Sequence, residues 1–153
     1  SLNKLIKHSN GEFIARQDSD DISHIERFQK QINVIESGKF DIVTTRANVI
    51  GEKRIIPNIS FYFPKRYIIK FKNPFIHGTL LIKSNVLNDI GNYDERFYYS
   101  QDYKLMSDLI KNNKKIKTLR QPLYNLNLKN NISSKNAEEQ EYFAKCVRLN
   151  KNP

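Results

Sequence analysis

A short apolar run that ends among crowded carboxylates constrains this chain more than any other feature. Phe13-Ile14-Ala15, introduced by the turn pair Asn10-Gly11, reads as a buried strand, and it runs out into Asp18-Ser19-Asp20-Asp21. Carboxylates this close repel one another unless positive charge sits among them, so a divalent cation is the expected guest. Behind the cluster, Ser23 and Glu26 form the signature of a capping box, and Ile25, Phe28, Ile32 and Ile35 recur at helical spacing up to Gly38. The carboxylates therefore belong to a strand-to-helix loop, at the carboxyl end of a strand, where open α/β sheets bind ligands.

Oxygen ligands on a loop suit Mg²⁺ or Mn²⁺, which take one or two protein carboxylates and complete their shell with water and phosphate oxygens. A calcium EF-hand fails on spacing: counted from Asp18, the glycine position falls on Ser23 and the bidentate glutamate on Gln29. The competing reading makes these carboxylates helix-start residues, and for Asp21, nearest the cap, the two readings are balanced.

Further along, residues 40–45 read as a second strand after the Gly38 stop, and 47–59 as an irregular or hairpin excursion around Gly51. Pro64 opens a predicted helix over 64–71, with Tyr67, Ile68 and Phe71 on one face. Residues 75–82 read as a third, buried strand, and Ser84 is expected to cap a short helix closed by Gly91. A helix led by Gln101-Asp102 carries Leu105, Met106, Leu109 and Ile110 inward. Short strands are predicted over 116–119 and 123–128, flanking Gln121-Pro122, and an amphipathic helix over 137–149.

Two residues outside the first cluster have chemical promise. Asp102, in the first turn of its helix, is favoured as an anion by the helix dipole and could take a proton from a substrate hydroxyl; an ordinary helix-start carboxylate is the competing reading. His77 interrupts an apolar strand and precedes Gly78, which admits close approach to the backbone. It reads either as a pocket imidazole or as a hydrogen-bonded core histidine, and neither His8 nor His24 stands at ligand spacing from it. Walker, GxSxG and HExxH patterns do not occur.

With 153 residues, 39% of them hydrophobic, the chain can build one domain with a core, and no uncharged apolar run is long enough to cross a bilayer. Its single cysteine, Cys146, reads as a buried thiol in a reducing compartment. The net charge of +10 includes a lysine-rich stretch over 111–117 that lacks the interleaved aromatics of a nucleic-acid groove. The charge suits anionic partners, nucleotide diphosphates or an anionic membrane face, or else a solvated surface.

Taken together, residues 11–22 with Glu26-Arg27 and Gln31 resemble the DxD region of family 2 glycosyltransferases. A second block, Asn73-Pro74, His77-Gly78-Thr79, Ile90-Gly91-Asn92-Tyr93-Asp94-Glu95-Arg96-Phe97 and Gln101-Asp102, resembles the acceptor-side half of the same family. Asn92 stands where that family often has a second glycine.

The resemblance implies a GT-A fold: a Rossmann-like mixed α/β sheet, with residues 1–46 closing the nucleotide and metal half, 47–128 forming the acceptor half and 129–153 a C-terminal helix. It implies inverting transfer from a nucleotide-diphosphate sugar, UDP-linked in the first instance, to a glycan or lipid-linked glycan acceptor, with no nucleic acid as partner. Asp20 and Asp18 would hold Mn²⁺ or Mg²⁺, and Asp102 would be the base. Asp18, Asp21, Arg27, His77, Gly78 and Gln101 would touch donor or acceptor. The chain opens in helix-like sequence with a serine, which predicts an N-terminally truncated piece of a cytoplasmic enzyme working at the inner face of the plasma membrane. The alternative is an inactive glycosyltransferase-like fragment or scaffold.

Overall fold

The computed structural model describes residues 2–128 and 136–153. Its elements are α1 (Leu2–His8), β1 (Phe13–Ala15), β2 (Ile22–Ser23), α2 (Arg27–Ile35), β3 (Ile42–Val49), β4 (Ile55–Ile56), α3 (Lys65–Ile68), β5 (Leu81–Lys83), α4 (Ser84–Asp89), α5 (Gln101–Lys111), β6 (Ile116–Leu126) and α6 (Ala137–Leu149), with single 3₁₀ turns at Ile59–Tyr62 and His77–Thr79. The strands form one mixed sheet in the order β1-β5-β3-β6-β2, with β4 turned back onto β3. Strand β3 runs parallel to β6 and antiparallel to β5.

Alternation along β3 and β5 sorts the core into two layers. Ile42 and Ile82 face a large cluster with Leu87, Phe97, Leu105 and Leu109, contributed by α4, α5 and the chain between them, and closed by Cys146 and Val147 of α6. Val43 and Leu81 face the other way, onto Ile35 and Ile32 of α2. Helices therefore cover both faces of the sheet, and the mixed α/β architecture expected from the sequence is present.

Several local expectations are corrected, each for a reason visible in the bonding. Ser23 does not cap α2: its backbone pairs with Tyr124 in β6, and its hydroxyl donates to Gln17 Oε1 at 2.6 Å. The helix begins at Arg27, with Glu26 at the N-cap position and no side-chain cap bond. Its buried residues are Arg27, Gln31 and Ile35, while Ile25 and Phe28 are exposed.

The run 75–82 is not one strand, because a 3₁₀ turn at His77–Thr79 leaves only Leu81–Lys83 to pair. Ser84 opens α4 but donates its hydroxyl to the Gly11 carbonyl instead of capping. The helix expected over 64–71 contracts to Lys65–Ile68, and Tyr67 and Phe71 face solvent. In the other direction, the two short strands around Pro122 are a single strand, β6, because the missing N–H of proline falls where the β3 register shifts between Thr45 and Arg46. Helix α6 has the expected bounds, the excursion around Gly51 is the β3–β4 hairpin, and Cys146 is buried.

Candidate active site

Strand β1 ends in a loop that folds back on itself around Gln17. Its amide nitrogen donates to the carbonyls of Asp18 (2.9 Å) and Asp21 (3.0 Å), while its oxygen receives the Ser23 hydroxyl. The far end of β6 supports this loop from below. Asp18 donates its backbone N–H to the Tyr124 hydroxyl at 3.1 Å, and Asp21 Oδ1 accepts the backbone N–H of Asn127 at 2.7 Å. Asp21 is thus tied to the residue that follows β6, well short of the helix start that one of its two readings gave it. Burial, the largest influence, raises its pKa above the ordinary carboxylate value.

Gly78 is pressed against this arrangement. A Cβ there would lie 2.8 Å from Tyr124 Cζ and 2.9 Å from Asp18 Oδ2, so only glycine lets the 77–79 turn meet the carboxylate loop. Arg27 clamps the two from behind. Fully buried, it donates from Nη1 to the Gly78 carbonyl (2.5 Å) and from Nη2 to the Arg16 carbonyl (3.1 Å), with its guanidinium 5.0 Å from the Tyr124 ring centre. Arg27, expected to touch donor or acceptor, here bonds the backbone of Gly78 and of Arg16. Gln31, one turn on, does the same by donating to the carbonyls of Val43 and Thr79, both at 2.8 Å.

A cavity of about 710 Å³ opens in front of the clamp and gathers Asp18, His77, Gln101 and Asp102, three separate stretches of sequence, together with Arg16, Tyr98 and Tyr99. Asp20, Asp21, Arg27 and Gly78 are not among its lining residues. Asp20 is exposed on the loop. Asp102 lies in the first turn of α5, and its Oδ2 accepts a hydrogen bond from Asn73 Nδ2 at 2.8 Å. Asn73 is itself oriented, since its Oδ1 accepts the backbone N–H of Phe75. Ser100, immediately before α5, takes a left-handed backbone (φ 55°), as does Asn92 (φ 65°), where asparagine substitutes for glycine at modest cost.

His77 Nε2 lies 2.6 Å from the Tyr93 hydroxyl. Burial pushes the Tyr93 pKa up and the His77 pKa down, with Asp102 opposing the latter. Which of the two groups donates follows from the tautomer of the imidazole. Gln17 and Asn73 stand in the two blocks that carry the resemblance but were given no role there, and Tyr124 was missed, since it meets Asp18 across 106 residues.

Asp18 Oδ1 is held by Arg16 Nη2 at 2.5 Å. Among the described residues, no group of three or more His, Cys, Asp or Glu side chains is arranged to enclose an ion. A pair of loop carboxylates, one exposed and one at the pocket, fits an ion that takes few protein ligands and completes its shell from phosphate and water.

Comparison with known proteins places this geometry. The GT-A fold recurs in crystal structures of S. aureus TarS 1-349 in complex with UDP-GlcNAc (TM-score 0.70, 20% identity, 95% of this chain and 44% of that one). It recurs also in the mannosyltransferase PcManGT from Pyrobaculum calidifontis in complex with GDP-Man and Mn²⁺ (TM-score 0.65, 16% identity, 99% and 44%). The sequence model of glycosyl transferase family 2 matches residues 1–93, and the chain belongs to that family. EpsE of Bacillus subtilis, which bears a provisional glycosyltransferase name, is 32% identical over 99 residues, 61% of this chain and 34% of EpsE. The O-antigen biosynthesis glycosyltransferase WbnJ of Escherichia coli is 32% identical over 108 residues, 69% of this chain and 42% of WbnJ. The chain thus spans well under half the length of these relatives.

Proposed function

We propose that the polypeptide carrying this chain is a metal-dependent inverting glycosyltransferase, moving a sugar from a nucleotide-diphosphate donor, UDP-linked in the first instance, to a hydroxyl of a surface-glycan acceptor. The observation that carries this reading is the single cavity that brings Asp18 of the carboxylate loop to Gln101 and Asp102 at the start of α5. Family membership, and the nucleotide sugars named with TarS and PcManGT, support the donor class. The name of WbnJ supports a surface-glycan acceptor.

In this reading Asp102 is the general base. Asn73 holds Oδ2, leaving Oδ1 to take the proton as the acceptor oxygen attacks the anomeric carbon from the side opposite the departing diphosphate. Asp18 and Asp20 are the residues that would hold Mn²⁺ or Mg²⁺, which when bound neutralises charge growing on the diphosphate. His77 and Gln101 contact the sugar or acceptor, while Asp21, Arg27 and Gly78 position the loop. Residues 1–46 and 47–128 divide the donor and acceptor sides. The C-terminal helix of 129–153 is described from residue 136, and 129–135 lie outside the described residues. The setting is cytoplasmic, beside the membrane that presents the acceptor.

The test is transfer from UDP- and GDP-sugars by the full polypeptide. Asp102→Asn should lower kcat by about 100-fold or more with donor binding by calorimetry unchanged. Asp20→Ala should weaken both, and EDTA should abolish turnover until Mn²⁺ is restored. Full transfer by Asp102→Asn would remove the base assignment. A polypeptide that binds no donor at all would favour an inactive scaffold.

A further inference from the structure

Between Glu52 and Asp89 the chain carries seven lysines and arginines and no acidic residue, as it does again between Asp108 and Glu138. The same stretch exposes large apolar side chains: Ile59 (71%), Tyr62 (66%), Phe63 (54%), Tyr67 (51%) and Phe71 (74%). They stand on a segment tied together by short-range bonds. Lys65 Nζ donates to the carbonyls of Ser60 (2.8 Å) and Phe61 (2.7 Å), Phe61 and Tyr62 meet edge-on at 5.2 Å, and the Arg66 guanidinium lies 4.8 Å from the Tyr67 ring centre.

Next to this segment is a cavity of about 280 Å³ lined by four cationic side chains, Arg66, Lys70, Lys111 and Arg148, together with apolar Ile69, Ile110 and Val147; no carboxylate lines it. Arg148 pairs with Glu141 and Lys111 donates to Asn150. Lys70 and Lys72 are exposed. In the lysine-rich stretch beyond Lys111, Lys114 pairs with Asp89 and Lys117 lies over the Phe40 ring.

We propose that residues 59–72, with the cavity ringed by Arg66, Lys70, Lys111 and Arg148, form a docking surface for an anionic lipid bilayer. Tyrosine and phenylalanine side chains beside lysine and arginine match the headgroup boundary, where rings enter the interface and cations meet lipid phosphate. A second copy of the chain would oppose cation to cation, and a nucleic acid would leave Ile59 and Phe71 uncovered. The surface builds on the membrane-proximal acceptor proposed above, yet none of its residues lines the cavity of Asp18 and Asp102, so either reading can fail alone.

The test is sedimentation of the full polypeptide with vesicles of phosphatidylcholine alone or mixed with phosphatidylglycerol. Binding should be about tenfold or more tighter to the mixed vesicles. Lys70→Glu with Lys72→Glu should remove about tenfold or more of that affinity, and Phe63→Ser with Phe71→Ser should weaken it comparably. Lys115→Glu with Lys117→Glu makes the same change in net charge elsewhere and should leave binding within about twofold. Phe71→Trp adds a reporter whose emission, taken as the difference from the polypeptide without it, should shift to the blue only when anionic vesicles are present. Binding indifferent to lipid charge, equal losses from the two lysine pairs, or an indole reporter already shielded without vesicles would each overturn the proposal. The last result would assign the surface to another part of the polypeptide or to a second copy.

Discussion

On α2 two of the three side chains that leave solvent completely are polar, Arg27 and Gln31, whereas between residues 59 and 72 five large apolar side chains stand in it. Each region inverts the simple rule that polar residues face water and apolar residues avoid it. The difference lies in bonding. Arg27 and Gln31 each satisfy two backbone carbonyls that the packing of α2 against the sheet and the 77–79 turn would otherwise strand. Ile59, Tyr62 and Phe71 stay exposed among the described residues, and the segment that carries them is held by local turns and by Lys65. Buried polarity here backs the candidate active site, while the exposed apolar side chains of 59–72 make contacts within their own segment.

That contrast can be broken most directly at Arg27. Arg27→Ala should cost about 3 kcal/mol in urea unfolding, from the cavity and from the unpaired carbonyls of Gly78 and Arg16, and Arg27→Met should recover only the packing share. Equal stability of Arg27→Met and wild type would show that the guanidinium bonds are dispensable. A somewhat smaller effect, about 2 kcal/mol, is expected for Gly78→Ala, whose methyl group would meet Tyr124 and Asp18. Removing the Tyr124 hydroxyl in the same chain should relieve part of that strain, so the double variant with Tyr124→Phe should be more stable than the sum of the two changes predicts. Strict additivity would mean that the turn moves away from β6 instead. At the other extreme, Phe71→Ser should change unfolding stability by less than about 0.5 kcal/mol; a larger loss would show that the exposed segment is packed after all.

Much of the frame was legible along the chain. The β1 strand, the carboxylate loop, the α5 start at Gln101-Asp102 and the whole of α6 follow from local pattern, because turn residues and hydrophobic period act over a few positions. The start of α2 was not legible. A capping box is only a local offer, and Ser23 had a better one from Gln17 and from strand pairing with Tyr124. For the same reason the apolar period of Ile25 and Phe28 pointed to the wrong face of that helix. The apparent strand over 75–82 failed because a 3₁₀ turn buries its residues as well as a strand does, as Gly78 and Thr79 show.

Within the candidate site, sequence named the chemistry but not the division of labour. Residue type and spacing singled out Asp18, Asp20, Asp21, His77 and Asp102, since a carboxylate or an imidazole is informative wherever it falls. Only the tertiary structure separated Asp18, at the pocket, from Asp21, tied to Asn127; it alone paired Asp102 with Asn73 and turned Arg27 inward. The cost of burying a polar group is set by the partners that meet it. Here those partners, Tyr124, Asn127, Asn73 and the Gly78 carbonyl, arrive from distant parts of the chain, so their effect exists only once the sheet has brought them together.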